Sequence, residues 1–243
     1  MSASAGSRFE ELHDHFFVLP NPWDVGSAVI LEELGFEALA TTSSGLAMSF
    51  GRQDGEVTLD ELVTHVAQLA EAVAVPINVD AERCFADDPD GVAETVNRLA
   101  LAGAGGASIE DWNPETGAID PIDVATERVA AATAAARPHG LVITARCENH
   151  IRGVTNLDDT IRRLEAYRDA GAGALYAPGI STESEIEAVV GIGAPVNVLG
   201  KAGVPGPKDL ERLGVIRMST GGALARLAYS TMRDAALELV GAS

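Results

Sequence analysis

Residues 58–82 read TLDELVTHVAQLAEAVAVPINVDAE, and two periodicities meet inside them. Thr58 followed three residues later by Glu61 is the capping-box pattern that opens a helix. Leu59, Leu62, Val63, Val66, Leu69, Ala70 and Val73 then fall on one helical stripe. At Pro76–Asp80 the pattern changes to a short run that reads as a buried strand. That strand ends in Asp80 and Glu82, two residues apart, and extended chain points such side chains to the same side. Two acids on one side at the end of a buried strand repel each other and lose hydration. A metal ion, a basic side chain or water must compensate them.

The helix-then-strand unit recurs along the chain. Apolar runs predict strands at Phe17–Pro20, Ala38–Thr42, Pro76–Asp80, Gly106–Glu110, Leu141–Arg146, Ala174–Ala177, Pro195–Leu199 and Val215–Ser219, eight in all. Caps mark the helices between them. Asp88-Pro89 and Asp120-Pro121 place a capping acid before a first-turn proline, Asn156 precedes Leu157, Thr182 has Glu185 at the box position, and Gly206-Pro207 opens a short helix. Gly35, Gly103, Gly171 and Gly214 close helices before the next strand. Eight strand-then-helix units argue for a single (β/α)8 TIM barrel of parallel strands covering residues 1–243. An open doubly wound sheet competes less well, because no GxGxxG follows the first strand. Met1–Gly6 reads as a floppy tail without the features of a signal peptide, and residues 1–14 as tail plus a short helix. The last helix, about 223–240, is apolar on much of its surface, enough to pack on a partner subunit as well as on its own barrel.

A length of 243 residues with 47% hydrophobic content supports a sizeable core. No apolar run is long enough to span a bilayer, so no membrane partner is expected. A net charge of −19 argues against nucleic-acid binding through a basic face. The only two cysteines, Cys84 and Cys147, form neither a disulfide framework nor a CxxC metal pattern, which fits a reducing cytoplasm.

In a barrel of this kind the active site is built at the C-terminal ends of the strands. Those ends offer Asn21, Trp23 and Asp24, then Thr42, Ser43, Ser44 and Gly45, then Asp80 and Glu82. The later ones offer Glu110 and Asp111, Arg146 with Glu148, Asn149 and His150, then Tyr176, Asn197, Lys201 and Ser219. Asp80, Glu82 and Glu110 on neighbouring strands suit a hard divalent cation such as Mg²⁺, and a solvated or arginine-paired acidic rim is the competing reading. Arg146 is placed to hold a carboxylate or phosphonate by its planar fork, or to pair with Glu110 or Glu82. Ser43-Ser44-Gly45-Leu46 is a small-residue turn whose backbone N–H groups could cradle an anion. Trp23 is either a pocket wall or core packing.

The ordered set NPWD at 21–24, TSSGL at 42–46, DAE at 80–82, IED at 109–111 and TAR at 144–146 resembles the isocitrate lyase/phosphoenolpyruvate mutase superfamily, from about Asn21 to the final helix. The resemblance implies a barrel whose eighth helix is swapped with a neighbour, in a homodimer or tetramer. It implies Mg²⁺, with Mn²⁺ as a substitute, and a small 2-oxo acid of phosphonopyruvate or oxaloacetate type. The P–C or C–C bond beside the carbonyl is cleaved or rearranged through a metal-stabilised enolate. By position, Ser44, Gly45 and Leu46 resemble the segment that holds the substrate carboxylate, with Ser43, Trp23 and Asn197 as further substrate contacts. Asp80, Glu82 and Glu110 resemble the metal shell, Asp54 an acid that orders it, and Arg146 the arginine on the leaving half, so that Arg146, Asp54 and Glu110 are the catalytic candidates. C–C lyases of the superfamily carry a cysteine–histidine loop after strand four. Here residues 111–120 read DWNPETGAID, without cysteine or histidine, so isocitrate lyase activity itself is not expected. Asn113 and Thr116 are the candidates to stand in. The alternative is a barrel that binds a 2-oxo acid with Mg²⁺ but has weak or lost catalysis.

Overall fold

The apolar runs become strands, and the capped segments between them helices, in the computed structural model, which describes residues 4–241. The first half runs α1 (Ala5–Glu11), β1 (Phe17–Leu19), α2 (Val25–Glu33), β2 (Leu39–Ala40), α3 (Ser43–Ser49), α4 (Leu59–Ala72), β3 (Ile77–Asp80), α5 (Pro89–Leu101) and β4 (Gly106–Glu110). A small hairpin, β5 (Trp112–Asn113) and β6 (Ala118–Ile119), comes next. The chain continues with α6 (Ile122–Ala136), β7 (Val142–Arg146), α7 (Leu157–Asp169), β8 (Ala174–Tyr176), α8 (Glu183–Val190), β9 (Val196–Leu199), α9 (Pro207–Arg212), β10 (Arg217–Ser219) and α10 (Ala223–Leu239).

Eight strands form one parallel sheet in the order β1-β10-β9-β8-β7-β4-β3-β2. The Ala40 N–H donates to the Pro20 carbonyl at 3.0 Å and bridges the seam between β1 and β2. This is the (β/α)8 barrel that the strand count predicts. Thr58, Asp88, Asn156 and Thr182 cap their helices as read, and Gly35, Gly103, Gly171 and Gly214 take positive φ at the helix ends.

Three local readings differ. The N-terminal tail is shorter than expected: Ser4 caps α1, so Ser4–Gly6 are part of a helical start, while Met1–Ala3 lie outside the described residues. A side chain on Gly6 would stand 2.2 Å from the Gly140 carbonyl oxygen, so glycine there lets α1 lie flat across the N-terminal end of the barrel. From α1, Phe9 enters that end, where a Cβ on Gly106 would meet its ring at 2.6 Å, and it stacks edge-on with His13 and Phe17. Second, Asp120 does not cap α6. Pro121 holds the cap position, and the Asp120 carboxylate turns away to Arg83 at 3.0 Å, a charged donor that outweighs a helix-end amide. Third, the hairpin β5–β6 was not foreseen.

Two helices stay apolar on their outer faces. On α10, Leu227, Met232, Leu239 and Val240 beyond it are exposed, and Ala225 is its one buried residue. On α2, Val25, Ile30 and Leu34 are exposed. No helix of the described residues is long and apolar enough to cross a membrane.

The core side of α4 contains one polar residue with a stability consequence. His65 is buried beside Leu62, Val66 and Leu69, its Nε2 has no partner, and burial pushes its pKa down to about 4. A histidine that is neutral when folded but titrates near 6.5 when unfolded contributes fully above 6.5 and loses that contribution as the pH falls toward 4. The loss amounts to up to about 3 kcal/mol. Urea unfolding from pH 7 to pH 4 therefore shows a shallower acid decline for His65→Leu than for the parent protein.

Candidate active site

A cavity of about 240 Å³ opens at the C-terminal ends of the barrel strands. Arg146, the last residue of β7, stands in its wall. Its guanidinium meets Asp80 Oδ1 at 2.7 Å, Glu110 Oε2 at 3.0 Å and Glu148 Oε1 at 2.9 Å. Burial works against the charge of Arg146, but Glu148, Glu110 and Asp80 together hold its pKa well above the usual value. Glu148 follows Arg146 by two residues and so shares its side of the chain, a signal already present in the spacing.

Each carboxylate is held by a different element. Asp80 Oδ2 accepts the Ser43 N–H of α3 at 3.1 Å, and the Asp80 N–H donates to Thr41 Oγ1 at 2.8 Å. Glu110 ends β4 and is buried, and burial raises its pKa well above the usual carboxylate range. The Glu148 N–H donates to Asp111 Oδ1 at 2.8 Å. Asp111 in turn accepts from Tyr167 Oη at 2.7 Å and Arg163 at 3.3 Å.

Glu82 lies on a strained loop. Glu82, Cys84 and Phe85 have φ of 48°, 57° and 51°, and they are the non-glycine residues of positive φ among the described ones. Such backbone costs roughly 1 to 3 kcal/mol per residue and persists only where its surroundings impose it. Arg128 imposes it here: wholly inside the protein, it donates to the carbonyls of Arg83 at 2.6 Å and Asp87 at 2.7 Å. Thr95 Oγ1 holds the Cys84 carbonyl at 2.8 Å, and Arg83 reaches Asp120. The Glu82 carboxylate itself gains no hydrogen bond, and burial, then Asp80 and Asp54, push its pKa up to about 7.

Among the described residues, no three histidine, cysteine or acidic side chains form a ready-made cation cage. Asp80, Glu82 and Glu110 are thus neighbours without being a closed ligand set, because Arg146 stands between Asp80 and Glu110 as their counter-ion. The donor chemistry nevertheless fits Mg²⁺, which takes one or two carboxylates and keeps its remaining positions as water. Asp80 faces the cavity, and the unpaired Glu82 carboxylate beside it is an acidic corner that a cation would relieve.

The other candidates divide. Ser43, Ser44, Asp54 and Asn197 line the cavity with Asp80 and Arg146. Gly45 and Leu46 lie behind it, buried, and their N–H groups are taken by Thr42 Oγ1 and the Thr42 carbonyl. A Cβ on Gly45 would meet the Thr42 methyl at 2.5 Å and Trp23 Cβ at 3.0 Å, so this glycine serves close packing. Trp23 faces a separate outer groove with Leu46, Phe50 and His65, near Tyr229 of α10. The 111–120 segment is the closed hairpin. Asn113 Oδ1 accepts the N–H groups of Glu115 and Thr116, and the Asp120 N–H donates to the Asp111 carbonyl at 2.7 Å. Asn113 and Thr116 build that turn and are not among the residues that line the cavity.

Four cavity or rim residues were not singled out in the sequence as site residues. Tyr176 lies beneath Arg146, whose guanidinium carbon is 5.5 Å from its ring centre. Arg152 stacks on Trp112 of the hairpin at 4.1 Å and approaches Glu148 at 3.6 Å. At the floor, Arg217 is buried and bonded only to neutral atoms: Thr144 Oγ1 at 2.6 Å, Asn197 Oδ1 at 3.1 Å and His13 Nε2 at 3.2 Å. Burial lowers its pKa to about 10. At the rim, Arg226 of α10 packs over Gly222 beside Ser44. A lone arginine inside the Val215–Ser219 apolar run was the available signal for Arg217.

The family model described as phosphoenolpyruvate phosphomutase matches residues 9–240. A crystal structure from Burkholderia cenocepacia J2315, described as a candidate lyase/mutase, is 48% identical, with a TM-score of 0.93 over 97% of this chain and 88% of that one. An uncharacterised protein of Mycobacterium tuberculosis is 36% identical over 88% of this chain and 81% of its own. The oxaloacetate decarboxylase of Rhodopseudomonas palustris is 33% identical over 73% of this chain and 66% of its own.

The Arg128 clamp yields a measurable outcome. Arg128→Met leaves the carbonyls of Arg83 and Asp87 buried without donors, at a cost of about 1 to 3 kcal/mol for each. Hydrogen exchange should then quicken across residues 82–88 well before the barrel strands open.

Proposed function

The chain belongs to the phosphoenolpyruvate phosphomutase family, and on that premise we propose that it is a Mg²⁺-dependent lyase of small 2-oxo dicarboxylates of the oxaloacetate type. Its relatives are lyases and mutases of that superfamily, and it is an enzyme of the same kind. The observation that carries the choice of chemistry is the pairing of a cavity-facing Arg146 with a hairpin that brings no cysteine or histidine to the cavity. Loss of a carboxylate as CO₂ needs an electron sink more than acid–base machinery. It therefore suits this cavity better than an aldol-type cleavage that relies on a loop thiol.

In this reading the Ser44 N–H and hydroxyl face the carboxylate beside the carbonyl. Arg146 holds the departing carboxylate by its fork, releasing part of its contact with Glu148 or Glu110 to do so. Asp80 and Glu82 would hold Mg²⁺ with water in the other positions, and Glu110 and Asp54 would order that water. Bound there, the cation supplies Lewis-acid stabilisation of the enolate charge that bond cleavage creates. A phosphonopyruvate-type acid has the same shape and would use the same contacts, with a phosphoryl group in the Arg146 fork. The buried free thiols Cys84 and Cys147 suit a cytoplasmic setting.

Calorimetric titration of oxaloacetate, phosphonopyruvate and pyruvate, with and without Mg²⁺, tests the site, followed by product assay. Asp80→Ala is expected to lose Mg²⁺-dependent binding while the circular dichroism spectrum stays intact. Normal metal and ligand binding by that variant would refute the site. Binding by the parent protein without turnover would favour the alternative of a 2-oxo acid binding protein.

We also propose that α10 is exchanged with a second copy of this chain. Leu227, Met232 and Leu239 are exposed on α10, as are Val25 and Ile30 on α2 and Leu34 just beyond it, and these are the apolar side chains such an exchange would cover. Sedimentation at micromolar concentration should show a dimer or tetramer, and a monomer there would end the idea.

A further inference from the structure

A lyase that leaves an enolate must also put a proton on carbon, and the hairpin after β4 brings no cysteine or histidine to the cavity. The chain's other usual proton donors are also elsewhere. Cys84 and Cys147 are buried outside the cavity lining. His13 lies under the floor and bonds the Phe9 carbonyl, and His65 is sealed in α4. His15 and His139 pair with Glu37 and Asn97 at the surface, and His150 lies near Glu185. Lys201 and Lys208 are exposed and do not line the cavity. Glu82 and Glu110 are given to the cation shell in this reading and do not line the cavity; of the titratable groups that do, Asp80 is engaged by Arg146, Asp54 is an exposed carboxylate, and arginines do not release protons. Tyr176 remains.

We propose that Tyr176 is the general acid of this site, delivering its phenolic proton to the enolate carbon after the bond beside the carbonyl breaks. The assignment rests on the 2-oxo dicarboxylate reading above. Three features of its placement carry it. Tyr176 ends β8, in register with Arg146 on β7 and with Asn197 on β9, so it stands between the two cavity-facing side chains at the leaving half. Its ring is half-buried in the cavity wall under the Arg146 guanidinium, on the side of the cavity where the departing carboxylate is held in this reading. Ser219, near its hydroxyl, favours the phenolate, and the Ser219 Oγ is itself fixed by Asn197 Nδ2 at 2.9 Å.

The electrostatics suit the role. Burial pushes the phenol up to about 12, so it is protonated at neutral pH, while Arg146 acts in the opposite sense and stabilises the phenolate that donation leaves. In the step, the bond from the substrate's third carbon to the departing carboxylate breaks and CO₂ leaves. The electron pair passes into the enolate, the Tyr176 proton adds to that carbon, and water returns a proton to the phenolate. No oxidant, reductant or other reactant is consumed.

The experiment compares the parent protein with Tyr176→Phe in the presence of Mg²⁺. Three quantities are read: oxalate affinity by calorimetry, kcat and KM for oxaloacetate, and exchange of the pyruvate methyl protons in D₂O by NMR. Oxalate mimics the planar enolate and needs no proton transfer. The exchange assay reports protonation at carbon without any C–C cleavage. The expected result is unchanged oxalate affinity and KM, with kcat and methyl exchange falling together by about 100-fold or more, the range of a lost general acid. Equal kcat and exchange in both proteins would overturn the role of Tyr176 and leave the oxo-acid site standing. Failure of the parent protein to bind oxalate would overturn the site itself and Tyr176 with it. Oxalate binding by a parent protein that neither turns over oxaloacetate nor exchanges pyruvate would end the assignment while keeping the binding site.

Discussion

The contact on which the rest depends is the Arg146 guanidinium among Asp80, Glu110 and Glu148. Three carboxylates share one cation in a largely enclosed site, and removal of the cation would leave them facing one another with little water. Each anion arrives on a different element, so this one charge determines how β3, β4 and the turn after β7 end relative to each other. It does so through backbone as well as side chains: Ser43 reaches Asp80, and Asp111 reaches the Glu148 amide. The cluster is a poor source of stability, since desolvation offsets much of the attraction. It is a good way to fix geometry, and it leaves surplus negative charge at the cavity.

Around that centre the protein uses two further arginines in a different way. Arg128 spends its donors on backbone carbonyls of the 82–88 loop, and Arg217 on neutral side chains at the barrel floor. Arg128 has only a distant acid, Asp120 at 4.0 Å, and Arg217 has none among its partners. The first holds a loop in a conformation that the loop would not choose. The second keeps Asn197 and Thr144 turned inward, so the cavity floor stays polar above the Phe9 plug. The buried positive charges of this acidic chain are thus placed where shape must be maintained.

The barrel was legible in the sequence because parallel strands covered on both faces are short apolar runs between capped helices, as at Pro76–Asp80 after the Thr58 helix. Cap chemistry read correctly wherever the capping side chain had no stronger partner. It misled at Asp120, where Arg83, distant in sequence, competes for the carboxylate. The hairpin at 112–119 escaped because two-residue strands have no periodicity to detect. Arg146, Asp80 and Ser44 were visible as strand-end residues. What they touch was not: the seat of Trp23 outside the cavity, and of Gly45 and Leu46 behind it, depends on how α3 packs against its neighbours. Tyr176 was visible only as a strand end, because a tyrosine closing an apolar run looks like core until the register sets it under Arg146.

The positive backbone angles at Glu82, Cys84 and Phe85 have an evolutionary implication. Glycine at any of these positions would relieve the backbone conformation, although at 84 and 85 it would also remove side chains that pack in the core. Glycine at 84 or 85 would also let the loop wander, and an acidic side chain cannot be aimed from a wandering backbone. The chain has larger residues at all of these positions, so it carries local backbone strain there. That strain is a local cost which the Arg128 clamp and the surrounding packing must offset before mutations elsewhere can be absorbed.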